Sequence, residues 1–297
     1  MALLRRGVDV GATARSSTEM ILLEVLQLSA QYLNKHEIEN PRLNAEHLMA
    51  HVLKRTRMEL YLEFERTLSE AELAPLRELV RRRGEGEPLQ HLLGTIEFCG
   101  HTFLCDKRAM VPRPETEELV ELLKSKIQNP KSKIADVGTG SGVIALNLGS
   151  SFPEGEIVAT DISEDALSLA RENAERLGLS GRVKFVNTHL LNEVDGTFDL
   201  IVANLPYIST QDRQSLAREV LHDPDVALFG GSRGDELVRE LIEQAPAWLN
   251  PAGLLALEVG IGQAAELTEL LREKKYHDIE SKNDYSGVSR FLFGRYG

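Results

Sequence analysis

Apolar residues recur at helical spacing through the first quarter of the chain. Ile21, Leu22, Val25, Leu26 and Leu28 form one stripe, and Leu43, Leu48, Met49 and Val52 form a second. Pro41 stands where the second helix would begin, with Asn40 before it as N-cap. A further helix is predicted over 69–83, capped by Ser69 and presenting Leu73, Leu76, Leu79 and Val80. Residues 20–84 therefore read as a small helical bundle, too short to bury a large core unaided. Gly84, Gly86 and Pro88 end the pattern, and two short runs at 96–98 and 102–104 flank Cys99-Gly100. That spacing predicts a β-hairpin within a linker over 85–106.

From residue 107 to 297 the pattern changes. Short apolar runs at 134–137, 157–160, 183–186, 200–203 and 254–259 alternate with helical segments. Runs that are apolar throughout belong to strands covered on both faces, as parallel strands are. In the segment 163–177, Leu167, Ala170, Ala174 and Leu177 share one face. Ser163 precedes it as a cap, Glu164 and Asp165 fill the first turn, and Gly178 stops it. Such alternation predicts a doubly wound α/β sheet with helices on both sides. The last run, 290–293, has no room for a crossover helix after the segment near Ile279. It must return as a hairpin and insert one antiparallel strand.

Composition narrows the class. Hydrophobic content of 42% with 27% charged residues is that of a folded protein. The 34 Lys and Arg against 46 Asp and Glu leave a net charge of −12, which argues against a grip on nucleic acid through overall charge. Cys99 and Cys105 are the only cysteines, which excludes a disulfide framework and a four-cysteine zinc site. They read as packing thiols in a reducing, intracellular setting. No run approaches the ~20 apolar residues of a membrane span, so the expectation is a soluble, cytoplasmic protein. Residues 1–19 carry Arg5, Arg6 and Arg15 but also Asp9 and Glu19. They read as a disordered extension ahead of Met20 in preference to an organelle-targeting segment.

Three places carry candidate chemistry. Asp136-Val137-Gly138-Thr139-Gly140-Ser141-Gly142 closes a strand and opens a helix, where glycines let a ligand approach the backbone at a helix N-terminus. Its G-x-G-x-G spacing departs from the dinucleotide pattern. With Asp136 ahead of the loop it favours S-adenosylmethionine, whose ammonium needs a nearby carboxylate. Asp161 ends the next strand, where an acid binds a ribose hydroxyl pair. Asn204-Leu205-Pro206-Tyr207 follows the strand at 198–203, at the edge where ligands bind in such sheets. Asn204 offers a side-chain oxygen, Pro206 holds the backbone ahead of it extended, and Tyr207 adds an aromatic face. Two acceptors on one corner suit a planar NH2 group.

These motifs resemble the amino-methyltransferases. More specifically, Pro112-Arg113-Pro114-Glu115-Thr116-Glu117 resembles the signature of the release-factor glutamine methyltransferases, the HemK/PrmC family. So do the stretch 41–48, the stretch Pro224-Asp225-Val226-Ala227-Leu228-Phe229-Gly230-Gly231, and Glu258-Val259-Gly260-Ile261-Gly262-Gln263. The resemblance runs from about residue 20 to the C-terminus. It implies a seven-stranded, Rossmann-like methyltransferase domain and a helical substrate-recognition domain. It also implies S-adenosylmethionine as methyl donor. The implied substrate is the glutamine of the Gly-Gly-Gln loop in class I peptide chain release factors; apart from the resemblance, a monomer is the expectation. By the same resemblance the Asn204 side chain and the Leu205 carbonyl accept the amide hydrogens, with Pro206 and Tyr207 completing the catalytic corner. Asp136, Gly138, Thr139, Gly140, Gly142, Asp161, His189 and Asn204 are expected at the donor, and Arg113 and Glu117 at the substrate. Three positions depart from the family pattern. Leu205 stands where Pro is usual, His189 where an Asp contacts the adenine, and Ser232-Arg233-Gly234-Asp235 replaces an acidic stretch.

Two rival readings keep their place. Asn-Leu-Pro-Tyr also resembles the corner of rRNA dimethylases, so an adenine-N6 methyltransferase acting on rRNA or DNA is the alternative. A non-catalytic cofactor-binding protein is the second. His47 and His51, four apart, lack a third ligand and read as ordinary histidines, with no metal expected. Arg81-Arg82-Arg83 suits a helix C-terminus better than a grip on RNA.

Overall fold

The computed structural model describes residues 20–297, so the expectations for residues 1–19 lie outside the described residues. The chain divides into two compact units between Glu85 and Gly86.

The first unit holds helices α1 (Leu22–Lys35), α2 (Pro41–Leu53), α3 (Arg57–Leu62) and α4 (Glu70–Gly84). Leu22, Leu26, Leu33, Leu48, Met49 and Leu76 are fully buried between them. Each such side chain contributes roughly 1.5–3 kcal/mol. Leu28 and Leu43 share the helical spacing but face outward, exposed by 52% and 38%. Asn40 occupies the cap position of α2, yet in a left-handed conformation with no side-chain cap bond. At α4 the Ser69 backbone N–H and hydroxyl both donate to Glu72. Arg81 pairs with Glu78 and Glu85, while Arg83 is buried and donates to Asn44 Oδ1 at 2.7 Å.

The second unit opens with the short helix α5 (Leu89–Leu93), which the sequence pattern does not announce. The predicted hairpin follows as β1 (Thr95–Phe98) and β2 (His101–Leu104). Then come α6 (Pro114–Lys126), β3 (Lys133–Val137), α7 (Val143–Ser151), β4 (Glu156–Asp161), α8 (Glu164–Arg176), β5 (Val183–Asn187) and β6 (Phe198–Asn204). The remaining elements are β7 (Ile208–Ser209), α9 (Asp225–Leu228), β8 (Phe229–Gly231), α10 (Glu236–Gln244), β9 (Leu249–Glu258), α11 (Ala264–Glu273), β10 (His277–Asn283) and β11 (Ser289–Tyr296).

Seven strands form one sheet in the order β10-β11-β9-β6-β3-β4-β5. β11 lies antiparallel between β9 and β10, as the missing crossover requires, and the other neighbours pair in parallel. Alternation along the strands sorts the core into two layers. Ala135, Val137, Ile201, Leu255 and Leu257 pack with α10 and α11 on one face. Ile134, Leu200, Val202, Leu254 and Ala256 pack with α6 and α7 on the other. The chain winds from β3 outward through β4 and β5, then returns to β6 on the far side of β3. That reversal opens a crevice beyond the carboxyl ends of β3 and β6. The glycine loop and Asn204 therefore meet there.

Candidate active site

The loop between β3 and α7 is tied down from both sides. Gly138 and Thr139 donate their backbone N–H groups to Thr160 O at 2.9 and 2.8 Å. Gly140 N donates to Asp161 Oδ2 at 2.9 Å, and Ser163 N donates to Asp161 Oδ1 at 2.9 Å. Burial pushes the Asp161 carboxyl above its ordinary range, against these backbone bonds. Ser163 caps α8 as expected, accepting from Ala166 N. Gly140 has φ +56°, and a Cβ there would meet only Ala109 Cβ, at 4.0 Å. It faces the open cavity. Gly142, at φ +84°, is confined instead by Ala170 Cβ and Leu146 Cδ1, both 3.1 Å away. Asp136 is fully buried beneath the loop and does not form part of the cavity wall. Its Oδ2 accepts from Thr139 Oγ1 at 2.6 Å and Ala145 N at 3.0 Å, while Oδ1 has no partner among the described residues. Burial pushes this carboxyl up to about 7.

The corner after β6 is held with equal care. Asn204 Nδ2 donates to Thr116 Oγ1 at 3.0 Å, and Thr116 Oγ1 donates to Glu258 Oε2 at 2.8 Å. Asn204 Oδ1 is buried with no partner among the described residues. Such a group is costly unless something else satisfies it. Glu258 is 1% exposed, and burial pushes its carboxyl up to about 7. At the other end of the corner, Gln263 Nε2 donates to Tyr207 O at 2.9 Å, and Gln263 Oε1 accepts from Gly260 N at 2.8 Å. A Cβ at Gly230 would come within 2.2 Å of Pro206 O, so β8 packs on the corner only as glycine.

Two cavities meet at this corner. The first, about 260 Å³, lies over the glycine loop and is lined by Gly138, Thr139, Gly140, Asp161 and His189. The second, about 200 Å³, is lined by Arg113, Glu115, Tyr207, Glu258 and Arg290. Asn204, Leu205 and Pro206 line both. Residues 13–94 match the family described as PrmC N-terminal domain, and residues 114–232 match the Methyltransferase small domain. A release factor glutamine methyltransferase of Geobacter sulfurreducens is 39% identical over 276 residues, covering 92% of this chain and 96% of the relative. The chain belongs to the release factor glutamine methyltransferase family. The relative so named from Deinococcus radiodurans is also 39% identical, over 93% of this chain and 99% of its own. Among solved structures, the hMettl16 catalytic domain in complex with a 3′UTR hairpin aligns with TM-score 0.54 at 16% identity. It covers 77% of this chain and 84% of that one, a likeness of fold.

Within this member of the release factor glutamine methyltransferase family, the remaining expected residues divide. Arg113 borders the second cavity but is engaged, donating to Asp223 Oδ2 at 2.9 Å. Asp223 also accepts from Val111 N, and burial pushes it up to about 6. His189 lines the first cavity, with Nε2 2.9 Å from Glu240 Oε1. Glu117 borders neither cavity; its charge acts on Cys99 of the hairpin, and Glu115 takes the place in the wall. Helical phase explains the exchange, since residues two apart on α6 point to different sides. Among the described residues no cluster of three His, Cys, Asp or Glu side chains is arranged to hold a metal. No helix among them is long and apolar enough to cross a membrane. Sequence reasoning singled out Glu258 and Gln263 only as parts of a motif, and it missed Asn173. For Glu258 and Asn173 the signal was a polar residue at a buried strand end or on a buried helix face, whereas Gln263, half-buried ahead of α11, carried none.

Proposed function

We propose that this chain transfers a methyl group from S-adenosylmethionine to the side-chain amide nitrogen of a glutamine. The glutamine is that of the Gly-Gly-Gln motif in class I peptide chain release factors. The observation that carries this reading is Asn204, which lines both cavities and whose buried Oδ1 has no partner among the described residues. The first cavity suits the donor. Gly140 leaves open the space a side chain would fill, each Asp161 oxygen retains a lone pair for a ribose hydroxyl, and His189 lines the same cavity. Asp136 lies beneath the loop, where, when ionised, it would place a negative charge under the donor site.

When bound, the donor supplies a methyl group made electrophilic by its sulfonium. The chain's own residues act on the acceptor. An amide nitrogen is a weak nucleophile because its lone pair is shared with the carbonyl. Asn204 Oδ1 and the Leu205 carbonyl accept hydrogen bonds from its two N–H groups, orient it and offset the positive charge that develops on it as it takes the methyl group; one N–H proton then passes to solvent, leaving the neutral N-methyl amide. Tyr207 walls the second cavity, and Arg113 holds the segment that leads into α6. The helical unit is the part assigned to recognising the release factor. A cytoplasmic enzyme fits this reading, since translation termination supplies the substrate.

One assay tests it. Labelled donor is offered side by side to release factor, rRNA and DNA, and mass spectrometry places the label. Label on the Gly-Gly-Gln glutamine is expected. Label on adenine alone assigns the same corner to the rival substrate, and label on nothing removes the catalytic reading.

A further inference from the structure

We propose that Thr116 and Glu258 are positioning residues that fix which end of the Asn204 carboxamide faces the acceptor. This assignment rests on the transfer reading above. The argument is one of hydrogen-bond polarity. A carboxylate only accepts, a hydroxyl has a single proton to give, and a carboxamide has one end of each kind. Glu258 therefore accepts the Thr116 hydroxyl hydrogen bond. Thr116 Oγ1 is left as an acceptor, and the Asn204 NH2 fills it. Only then is Asn204 Oδ1, on a residue that lines both cavities, left without a partner among the described residues. Were Thr116 free to donate to Asn204 instead, the carboxamide would turn over and present its own NH2. Two donors would then face each other, and the acceptor would be repelled.

The three residues come from different elements. Thr116 lies in the first turn of α6, Asn204 ends β6, and Glu258 ends the neighbouring strand β9. Asn204 and Glu258 are paired across those strands, which puts both ends of the relay on one sheet edge. Gln263, five residues beyond Glu258, holds the Tyr207 carbonyl. The end of β9 and the turn that follows it thus brace the corner at both ends.

The test uses the full chain with release factor as acceptor. Thr116→Val keeps the volume but removes the acceptor oxygen; it should lower kcat on the order of tenfold or more and leave donor Kd unchanged. Thr116→Ser should restore most of the loss, which a purely steric role would not explain. Glu258→Gln can support either polarity and should lower kcat severalfold, also at unchanged donor Kd. It serves as the second variant if Thr116→Val folds poorly. A readout independent of turnover is proton exchange at the Asn204 side-chain NH2, followed by NMR. It should be slow in the wild type and the Ser variant and fast in the Val variant. Wild-type kcat and unchanged exchange in the Val and Gln variants would overturn the relay while leaving transfer intact. A wild type that methylates no release factor sinks the function reading, and the exchange measurement still decides the relay.

Discussion

Asn173 and Leu104, 69 positions apart, exchange two hydrogen bonds: Leu104 N donates to Asn173 Oδ1 at 2.6 Å, and Asn173 Nδ2 donates to Leu104 O at 3.2 Å. The same NH2 donates to Ser141 O at 3.0 Å, inside the glycine loop. A single fully buried side chain on α8 thus fastens the hairpin and the donor loop to one helix. Asn173→Ala strips partners from three backbone groups at once. The expected loss is about 2–5 kcal/mol of stability, read by denaturant unfolding, together with weaker donor binding. A loss confined to stability, with donor affinity intact, would show that the loop holds its shape unaided.

Asn204→Ala removes the proposed acceptor and leaves the glycine loop untouched. Turnover should fall by about a hundredfold or more, equivalent to ~3 kcal/mol, as for other preorganised acceptors and donors. Donor affinity, read by calorimetry, should stay close to that of the wild type. Turnover that survives the substitution would remove Asn204 from the chemistry.

Gly140 and Gly142 both have positive φ, yet their surroundings predict opposite failures. Alanine at 140 would enter the cavity, so donor affinity should drop sharply for a stability cost of only about 1–2 kcal/mol from the left-handed backbone. Alanine at 142 would press on Ala170 and Leu146, so the melting temperature should fall first. Equal behaviour of the two variants in both assays would contradict the geometry.

The central parallel strands were legible because burial on both faces demands apolar runs, and those runs lie inside β3, β4 and β6; β5, at the sheet edge with Lys184 exposed, was legible from its alternation with helices. The antiparallel β11 was legible from the shortness of its connection. α3 and α5 were not, since six and five residues are too few for a period to declare itself. Leu28 and Leu43 mislead for a related reason: spacing identifies a helix face but does not say that a partner covers it. The 204–207 corner could be read as a site, but its bracing could not. Thr116 lies 88 positions from Asn204 and 142 from Glu258, a juxtaposition that only the sheet order creates.

Asp136 should make stability depend on pH. Its carboxyl sits near 3.8 in the unfolded chain and is pushed up to about 7 by burial, against bonds from Thr139 and Ala145. A raised value means that its contribution is fully present below about 3.8 and is lost as pH rises through about 7. Asp136→Asn abolishes this titration. Relative to the wild type, the variant should therefore gain stability from about pH 4 to 7 and level off above, by on the order of a few kcal/mol. Donor affinity should fall in the same variant. A stability difference that stays flat across that range would mean the buried carboxyl ionises as an ordinary one.

Glu258 should make turnover itself depend on pH. Burial pushes its carboxyl up to about 7; the Thr116 bond, the charge of Arg290 on β11 and the nearby Asn204 side chain oppose this, and the charge of Glu115 on α6 adds to it. Ionised, Glu258 can only accept, and the relay to Asn204 has one direction. Protonated, it can donate to Thr116, which frees the Thr116 proton to turn the Asn204 carboxamide over. At saturating donor and acceptor, kcat should therefore climb as pH rises through about 7. Asp136 titrates in the same range, but it lies under the donor loop, so saturation removes its influence on kcat. Glu258→Gln does not ionise, and its kcat should run level across that interval at a reduced height. An acid limb that persists unchanged in the Gln variant would assign the titration to another group.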